Sequence, residues 1–244
     1  MKKFLAFTLA ETLIVMGIIG IVSALTLPNL NSSTGEKEKI AKVKKIYQNL
    51  DDAIGRATAV YGPVNEWFAN DNSYSAQVTR FGDRITEFMK VSKNCGVTTN
   101  QRCFSNQQIK NLAGNYGNAD DFDTKDYAYK FQVADGTSFA IARSSNYGSN
   151  AVFVYFNIDG NKGKNVIGND VFSLNYSMVD NMLIVKSEPD FSTLTSTGYG
   201  EEATGWVITF DNMDYLKAGT DGKCKDNTSV TLNARASTPV ISCK

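Results

Sequence analysis

Residues 6–28, AFTLAETLIVMGIIGIVSALTLP, decide the architecture of this 244-residue chain. Glu11 is the only charged residue between Phe4 and Leu27, and residues 12–27 carry no charge. A helix over residues 7–28 would be about 33 Å long at about 1.5 Å per residue, which matches the hydrocarbon core of a bilayer. The stretch therefore predicts a transmembrane helix at the start of the protein.

The flanks of the apolar run set its orientation. Lys2 and Lys3 precede it, and positive charges stay on the cytoplasmic side, which places the rest of the chain outside. The run is longer than the core of a secretory signal, about 7–15 residues, and residues 23–28 form a poor cleavage context. We therefore predict a single-pass anchor that is uncleaved or unusually processed.

Glu11 needs an explanation, because an acid inside an apolar span costs a few kcal/mol on insertion scales. One interpretation is that Glu11 lies near the cytoplasmic interface and reaches toward water. The other is that it has a function, the usual interpretation of an acid within a membrane segment.

Residues 6–11, AFTLAE, resemble the class III signal of type IV prepilins. That signal has a small residue, then Phe, Thr, Leu, a variable residue and Glu, with a long apolar run behind it. Pro28 ends the run where these proteins usually carry a proline. Two positions depart from the family: Ala6 stands where Gly is usual, which could slow processing, and Ala10 replaces a bulkier apolar residue.

The resemblance implies a specific processing and assembly route. A membrane prepilin peptidase would cleave between Ala6 and Phe7 and methylate the new amino group of Phe7. Glu11 lies one helical turn further on, so its carboxylate can meet a cationic N-terminus across a subunit contact in low dielectric. The expected protein is a pseudopilin or minor pilin in the bacterial cytoplasmic (inner) membrane, with its head on the outer side before it joins a filament. Its expected partners are the peptidase, other pilin or pseudopilin subunits and a membrane assembly platform.

Two other classes of function compete with that of a structural subunit. A filament-tip binding module, adhesin or DNA-uptake minor pilin is the first alternative. Nucleic acid is not expected as the main ligand, since 25 basic residues balance 25 acidic ones and phosphate binding needs clustered cations. An exported enzyme is the second alternative, but the chain has no histidine and shows no convergent nucleophile and base. The short acidic clusters at 120–123 and 201–202 are interpreted as exposed loops.

Beyond the anchor, the sequence predicts a spine helix over residues 29–61. A capping box at residues 33–36 marks a restart after Pro28. Apolar residues then recur at three and four positions until Gly62-Pro63 ends the pattern. The first half is basic through Lys37, Lys39, Lys42, Lys44 and Lys45. These lysines form either a solvated face or a contact with acidic surface on a neighbouring subunit.

Residues 62–244 are predicted to form a globular α+β head. A second amphipathic helix is expected over 75–92. Strands are expected at 127–133, 137–143, 151–158, 171–176, 182–186 and 206–210, with a hairpin at 134–136 and a central strand at 151–158. The predicted fold class is α+β, a long N-terminal helix packed on an antiparallel sheet in a pilin-like arrangement. The predicted divisions are a leader at 1–6, an anchor and filament-core helix at 7–28, a spine at 29–61 and a head at 62–244.

The four cysteines all follow the predicted membrane segment, where oxidation favours disulfides. Four cysteines allow three pairings. Local pairing is preferred, Cys95 with Cys103 and Cys224 with Cys243, and the second pair would close a C-terminal loop. A cysteine metal site is not expected at these spacings.

Residues 158–172, IDGNKGKNVIGNDVF, form the most motif-like part of the head. The candidate calcium ligands are Asp159, Asn161, Gly163, Asn165 and Asp170. The spacing is a poor EF-hand, because Lys164 replaces the turn glycine and the last acid is Asp. The stretch also resembles a calcium-holding loop of pseudopilin heads. The alternative is a Gly/Asn-rich turn held by side-chain hydrogen bonds. Apart from calcium, no cofactor is expected.

Overall fold

The computed structural model describes residues 9–68, 73–116, 121–143, 151–186 and 200–217, and for residues 22–34 it describes the backbone alone. The chain divides into two units, Met1–Glu38 and Lys39–Lys244. Helix α1, Leu9–Tyr61, is 53 residues long and contributes to both. The second unit also holds the sheet and two further helices.

Helix α1 is continuous, so the predicted restart at residues 33–36 is wrong. The backbone remains helical through Pro28. A proline removes one backbone donor, whereas every residue added to a nucleated helix contributes a further hydrogen bond. The predicted C-terminal end is confirmed: Gly62 adopts a left-handed φ of 78°, and its N–H donates to the Thr58 carbonyl.

The sheet has six antiparallel strands in the order β1-β2-β3-β4-β5-β6, a meander in which each strand pairs with the next. Its strands are β1 Val91–Gly96, β2 Tyr129–Val133, β3 Ser138–Ala142, β4 Ala151–Asn157, β5 Val171–Ser177 and β6 Met182–Ile184. Helix α2, Tyr74–Thr86, precedes the sheet, and helix α3, Gly200–Phe210, follows it. Short 3-10 helices lie at Val64–Phe68, Phe122–Thr124 and Asp214–Leu216. The α+β class and the antiparallel sheet are thereby confirmed.

Several predicted elements are confirmed at their positions. The β2–β3 hairpin turns at Gly136, whose φ is 89°, and β4 lies inside the sheet between β3 and β5. Helix α2 has Ser73 as its N-cap and buries Val78, Phe81 and Ile85 as expected.

One predicted boundary and one predicted element type are wrong. The helix predicted over 75–92 ends at Thr86, and residues 91–92 belong to β1. Residues 206–210 form the end of α3 instead of a strand. A short apolar run fits either the 3.6-residue period of a helix or the two-residue period of a strand. Here the Trp206 and Phe210 rings lie 5.1 Å apart in an edge-to-face contact, as residues four apart on a helix can.

The main core lies between the second part of α1 and one face of the sheet. The buried helix positions repeat at three and four residues: Ile40, Val43, Ile46, Leu50, Ala53, Ile54 and Ala57. They share a cluster with sheet aromatics that include Phe131, Phe139 and Phe156. A smaller cluster includes Phe104, Ile109 and Phe122 and packs with Ala140 and Ala142 of β3. The second part of α1 therefore completes the main core of the head.

The basic face of α1 binds the head's own loops. Lys39 donates to the carbonyl and side-chain oxygens of Asn169, and Lys42 donates to the Ile158 carbonyl at 2.9 Å. Lys44 pairs with Asp211 at 2.6 Å, and Lys45 pairs with Asp135 at 3.3 Å. Neither a purely solvated face nor an intersubunit contact is needed to explain these four lysines. Their bonds fasten loops to the helix, although each exposed pair contributes little free energy.

Candidate functional site

The first described turns of α1 expose an unusual amount of apolar surface. Eight side chains between residues 9 and 21 are 51–80% exposed. They are Leu9, Leu13, Ile14, Val15, Met16, Ile18, Ile19 and Ile21. Exposed apolar patches of this size mark interaction surfaces for proteins or membranes. We call residues 9–21 the apolar segment.

Glu11 lies in the first turn of α1 and is exposed. Beside it, the Thr12 hydroxyl donates to the Leu9 carbonyl at 2.9 Å. The apolar segment thus carries one charge, at its N-terminal end.

Two further predicted sites lie outside the described residues. The cleavage site, Ala6 and Phe7, precedes residue 9, and the second predicted disulfide pair, Cys224 and Cys243, follows residue 217. The predicted span over 7–28 is therefore described only in part, with side chains given for residues 9–21.

Among the helices in the described part of the chain, none is long and apolar enough to cross a membrane.

The predicted Cys95–Cys103 disulfide is confirmed, with Cα atoms 6.2 Å apart. It closes what we call the disulfide loop, residues 95–103, which begins in the last residues of β1. The Asp123 carboxylate accepts the backbone N–H of Arg102 at 3.0 Å and that of Cys103 at 3.2 Å. The N–H of Asn100 donates to the Asp123 carbonyl at 2.7 Å. One acid therefore anchors the loop through its backbone.

Two of the acids interpreted as exposed loop residues are buried, which corrects that interpretation. Asp123 and Glu202 are each 1% exposed. Glu202 pairs with the ammonium of Lys186, while Asp123 holds the disulfide loop. Burying a carboxylate is expensive without such partners. A run of acids in sequence does not reveal which member has them.

The candidate calcium residues lie in one loop between β4 and β5, which we call the 158–170 loop. Asp170 is buried, and its carboxylate accepts the N–H groups of Asn165 at 2.9 Å and Val166 at 2.6 Å. Burial raises the pKa of the Asp170 carboxyl above its ordinary value, although these two hydrogen bonds oppose the rise. Gly163 lies so close to Asp170 that a Cβ atom would be 2.3 Å from the carboxylate.

The amide side chains of this loop also have protein partners. The Asn157 amide donates to the Asn165 side-chain oxygen at 2.9 Å, and the Asn165 amide donates to the Gln107 carbonyl at 2.9 Å. The Asn161 amide donates to the Arg102 carbonyl at 3.0 Å, whereas the Asp159 side chain is exposed. The five residues share one loop, but three of them use their side chains to hold it. Within the described residues, no group of three or more acidic, cysteine or histidine side chains is arranged to hold a metal ion. Calcium binding stays a prediction.

No family model, curated protein or solved structure matches this chain.

Proposed function

We propose that this protein is a structural subunit of a type IV pilin-like filament, either a pseudopilin of a type II secretion system or a minor pilin. In this proposal α1 first anchors the precursor in the inner membrane and then forms the filament core. The head lies on the outer side, and the role is assembly instead of catalysis.

The observation that carries the proposal is the exposed apolar segment with Glu11 near its start. Burial of eight large apolar side chains stabilises an assembly by on the order of 10 kcal/mol. A surface of this kind is unfavourable in water and calls for lipid or neighbouring helices. Lipid before assembly and equivalent helices after assembly would cover it in turn.

The single acid supports the same proposal. A carboxylate surrounded by apolar side chains needs a cationic partner once it leaves water. A methylated Phe7 amino group on a neighbouring subunit is such a partner, and it would set the axial register of the helices. Prepilin peptidase, other subunits and a membrane assembly platform are the partners that this route requires.

The N-terminus of the mature chain tests the proposal directly. The full-length protein is co-expressed with a prepilin peptidase, purified from membranes and sequenced by mass spectrometry. We expect Phe7 as the first residue, carrying one added methyl group. Ala6→Gly should be processed at least as fast, since Gly is the family's usual residue, and Ala6→Val should remain uncleaved. A mature chain that starts at Met1, or one cut within residues 23–28, would exclude the proposed route.

A further inference from the structure

A cavity of about 400 Å³ opens between the disulfide loop and the 158–170 loop. Its lining consists of Arg102, Phe104, Ser105, Asn106, Asn161 and Lys162. Two cations from different loops therefore face one space, together with amide and hydroxyl groups. A volume of a few hundred Å³ is typical of small-ligand sites.

Arg102 is held in an unfavourable backbone conformation. Its φ is 59°, in the left-handed region, which costs a residue with a Cβ atom about 1–2 kcal/mol. The Asp123 carboxylate accepts its N–H, and its carbonyl accepts the Asn161 amide. The next residue, Cys103, is tied to β1 by the disulfide. These three contacts fix the backbone at Arg102, whose side chain lines the cavity.

The two charged residues that line the cavity, Arg102 and Lys162, are both cations. Within the described residues, neither Arg102 nor Lys162 forms a salt bridge with an acid. Lys93 donates to the Gln101 carbonyl in the disulfide loop but does not line the cavity. The nearby buried acid, Asp123, accepts the N–H groups of the same loop, and the exposed Asp159 is the other acid close in sequence to the lining.

We propose that this cavity binds an anionic group, a carboxylate or a phosphate monoester, carried by a polar ligand of about the size of one sugar ring. The planar guanidinium of Arg102 offers paired donors that match either anion, and the Lys162 ammonium adds a second charge. Asn106 offers amide donor and acceptor groups to ligand hydroxyls. The Ser105 hydroxyl accepts the Gln107 N–H at 3.2 Å and keeps its own proton to donate. The site belongs to the head and does not depend on the proposed role in a filament.

Titration of the full-length protein in a non-ionic detergent at low ionic strength tests the site. The probes are inorganic phosphate, glucose 6-phosphate and glucuronate, with glucose as the uncharged control, and binding is followed by calorimetry. We expect saturable binding of at least one anionic probe and none of glucose. Preference for glucose 6-phosphate identifies a phosphate ligand, and preference for glucuronate identifies a carboxylate ligand. Absence of saturable binding by all three anions would overturn the proposal.

Two glycine substitutions distinguish the contribution of the Arg102 guanidinium to binding from that of the loop backbone. Arg102→Gly removes the side chain where glycine fits the backbone, and affinity should fall about tenfold or more. Asn100 has a φ of 58° in the same loop, so Asn100→Gly makes the matched backbone change without removing a charge and should bind as the wild type does. Lys162→Ala, at an exposed position, should also weaken binding. Equal affinity in Arg102→Gly and wild type, or equal loss in Asn100→Gly, would contradict the assignment.

Discussion

Gly82, in the middle of α2, lies against the ring of Tyr129 on β2. A Cβ atom at Gly82 would be 2.3 Å from the Tyr129 Cδ1 atom. The ring has little freedom to move, because its hydroxyl donates to Asp83 at 2.7 Å and accepts the Asn94 amide at 2.7 Å. The absence of a side chain at one helix position therefore determines how closely α2 approaches the sheet.

Gly82→Ala should destabilise the head, whereas Gly55→Ala should stabilise it. Gly55 is an exposed interior position of α1, and no atom lies within 4 Å of the place that a Cβ atom would occupy there. Alanine at Gly55 therefore gains about 0.5–1 kcal/mol of helix propensity. At Gly82 the overlap with Tyr129 should outweigh this gain and cost about 1–3 kcal/mol. Chemical denaturation measures both variants, and equal stability of the two would refute the steric argument.

Tyr129 also makes stability depend on alkaline pH. Burial and the hydrogen bond to Asp83 raise the pKa of Tyr129 from 10.0 to about 12. Above pH 10 the unfolded chain loses this proton while the folded chain keeps it, so the folded state binds more protons. The contribution of Tyr129 to the unfolding free energy is therefore fully present below pH 10 and is lost as the pH rises toward 12.

In Tyr129→Phe the unfolding free energy should fall less steeply with pH, by about 1.4 kcal/mol per pH unit between pH 10 and 12. Tyr176, with a pKa also raised to about 12 by burial, would keep part of the slope in place. Unfolding free energies from urea titrations at several pH values give the measurement. Tyr116→Phe, at an exposed tyrosine, is the control and should leave the slope as in the wild type.

Among the elements, the disulfide loop contributes to stability through the unfolded state. Closing a loop with a sequence separation of 8 should stabilise the fold by about 2–3 kcal/mol in the chain-entropy model. The Cys95→Ala, Cys103→Ala double variant should lower the unfolding free energy by that amount. The Cys224→Ala, Cys243→Ala variant tests the second predicted pair separately, which reduction by a thiol cannot do. If the Cys95→Ala, Cys103→Ala variant is as stable as the wild type, Asp123 holds the loop without the disulfide.

The 158–170 loop allows a direct test of calcium. If it binds the ion, excess calcium should raise the melting temperature relative to chelator, because binding to the folded state alone stabilises it. Asp159→Asn should abolish this rise without unfolding the loop, since the Asp159 side chain is exposed. An unchanged melting temperature would leave the loop as a turn held by Asp170 and Asn165.

On the scale of the whole molecule, a substitution at Glu11 should affect filament assembly without affecting membrane anchoring by the apolar segment. Glu11→Ala keeps the apolar surface, so membrane insertion and cleavage after Ala6 should proceed as in the wild type. Incorporation into filaments should fall, because the proposed partner charge on the neighbouring subunit would stay unpaired. Blotting of sheared filaments and of membrane fractions measures the ratio of assembled to membrane-bound protein.

Glu38→Ala is the control for this experiment, since it removes an acid from α1 outside the apolar segment. It should assemble as the wild type does. Normal assembly of Glu11→Ala would refute the pairing, although the processing prediction at Ala6 and Phe7 would stand.

The sequence predicted those elements whose pattern is local. Repeats of three and four from Ile40 to Ala57 predicted the buried face of α1, and β4 was visible as an apolar run with turn residues on both sides. The same rules failed at α3, since a short apolar run is compatible with either period. There Gly200 and Gly205 let the helix approach Ser173 and Lys186 closely, and packing of that kind is not visible in a local pattern.

For the functional sites, the sequence alone determined what depends on covalent order. The apolar run with its acid and the Phe7-to-Glu11 spacing are properties of residues near one another in the chain, whereas the sequence only favoured the pairing of Cys95 with Cys103 among three possible pairings, and the structure decided it. The tertiary structure decided which acids are buried, that four lysines of α1 bind head loops, and that Arg102 and Lys162 line one cavity. These groups meet over separations of up to 167 residues, as between Lys44 and Asp211, and no local preference encodes such contacts.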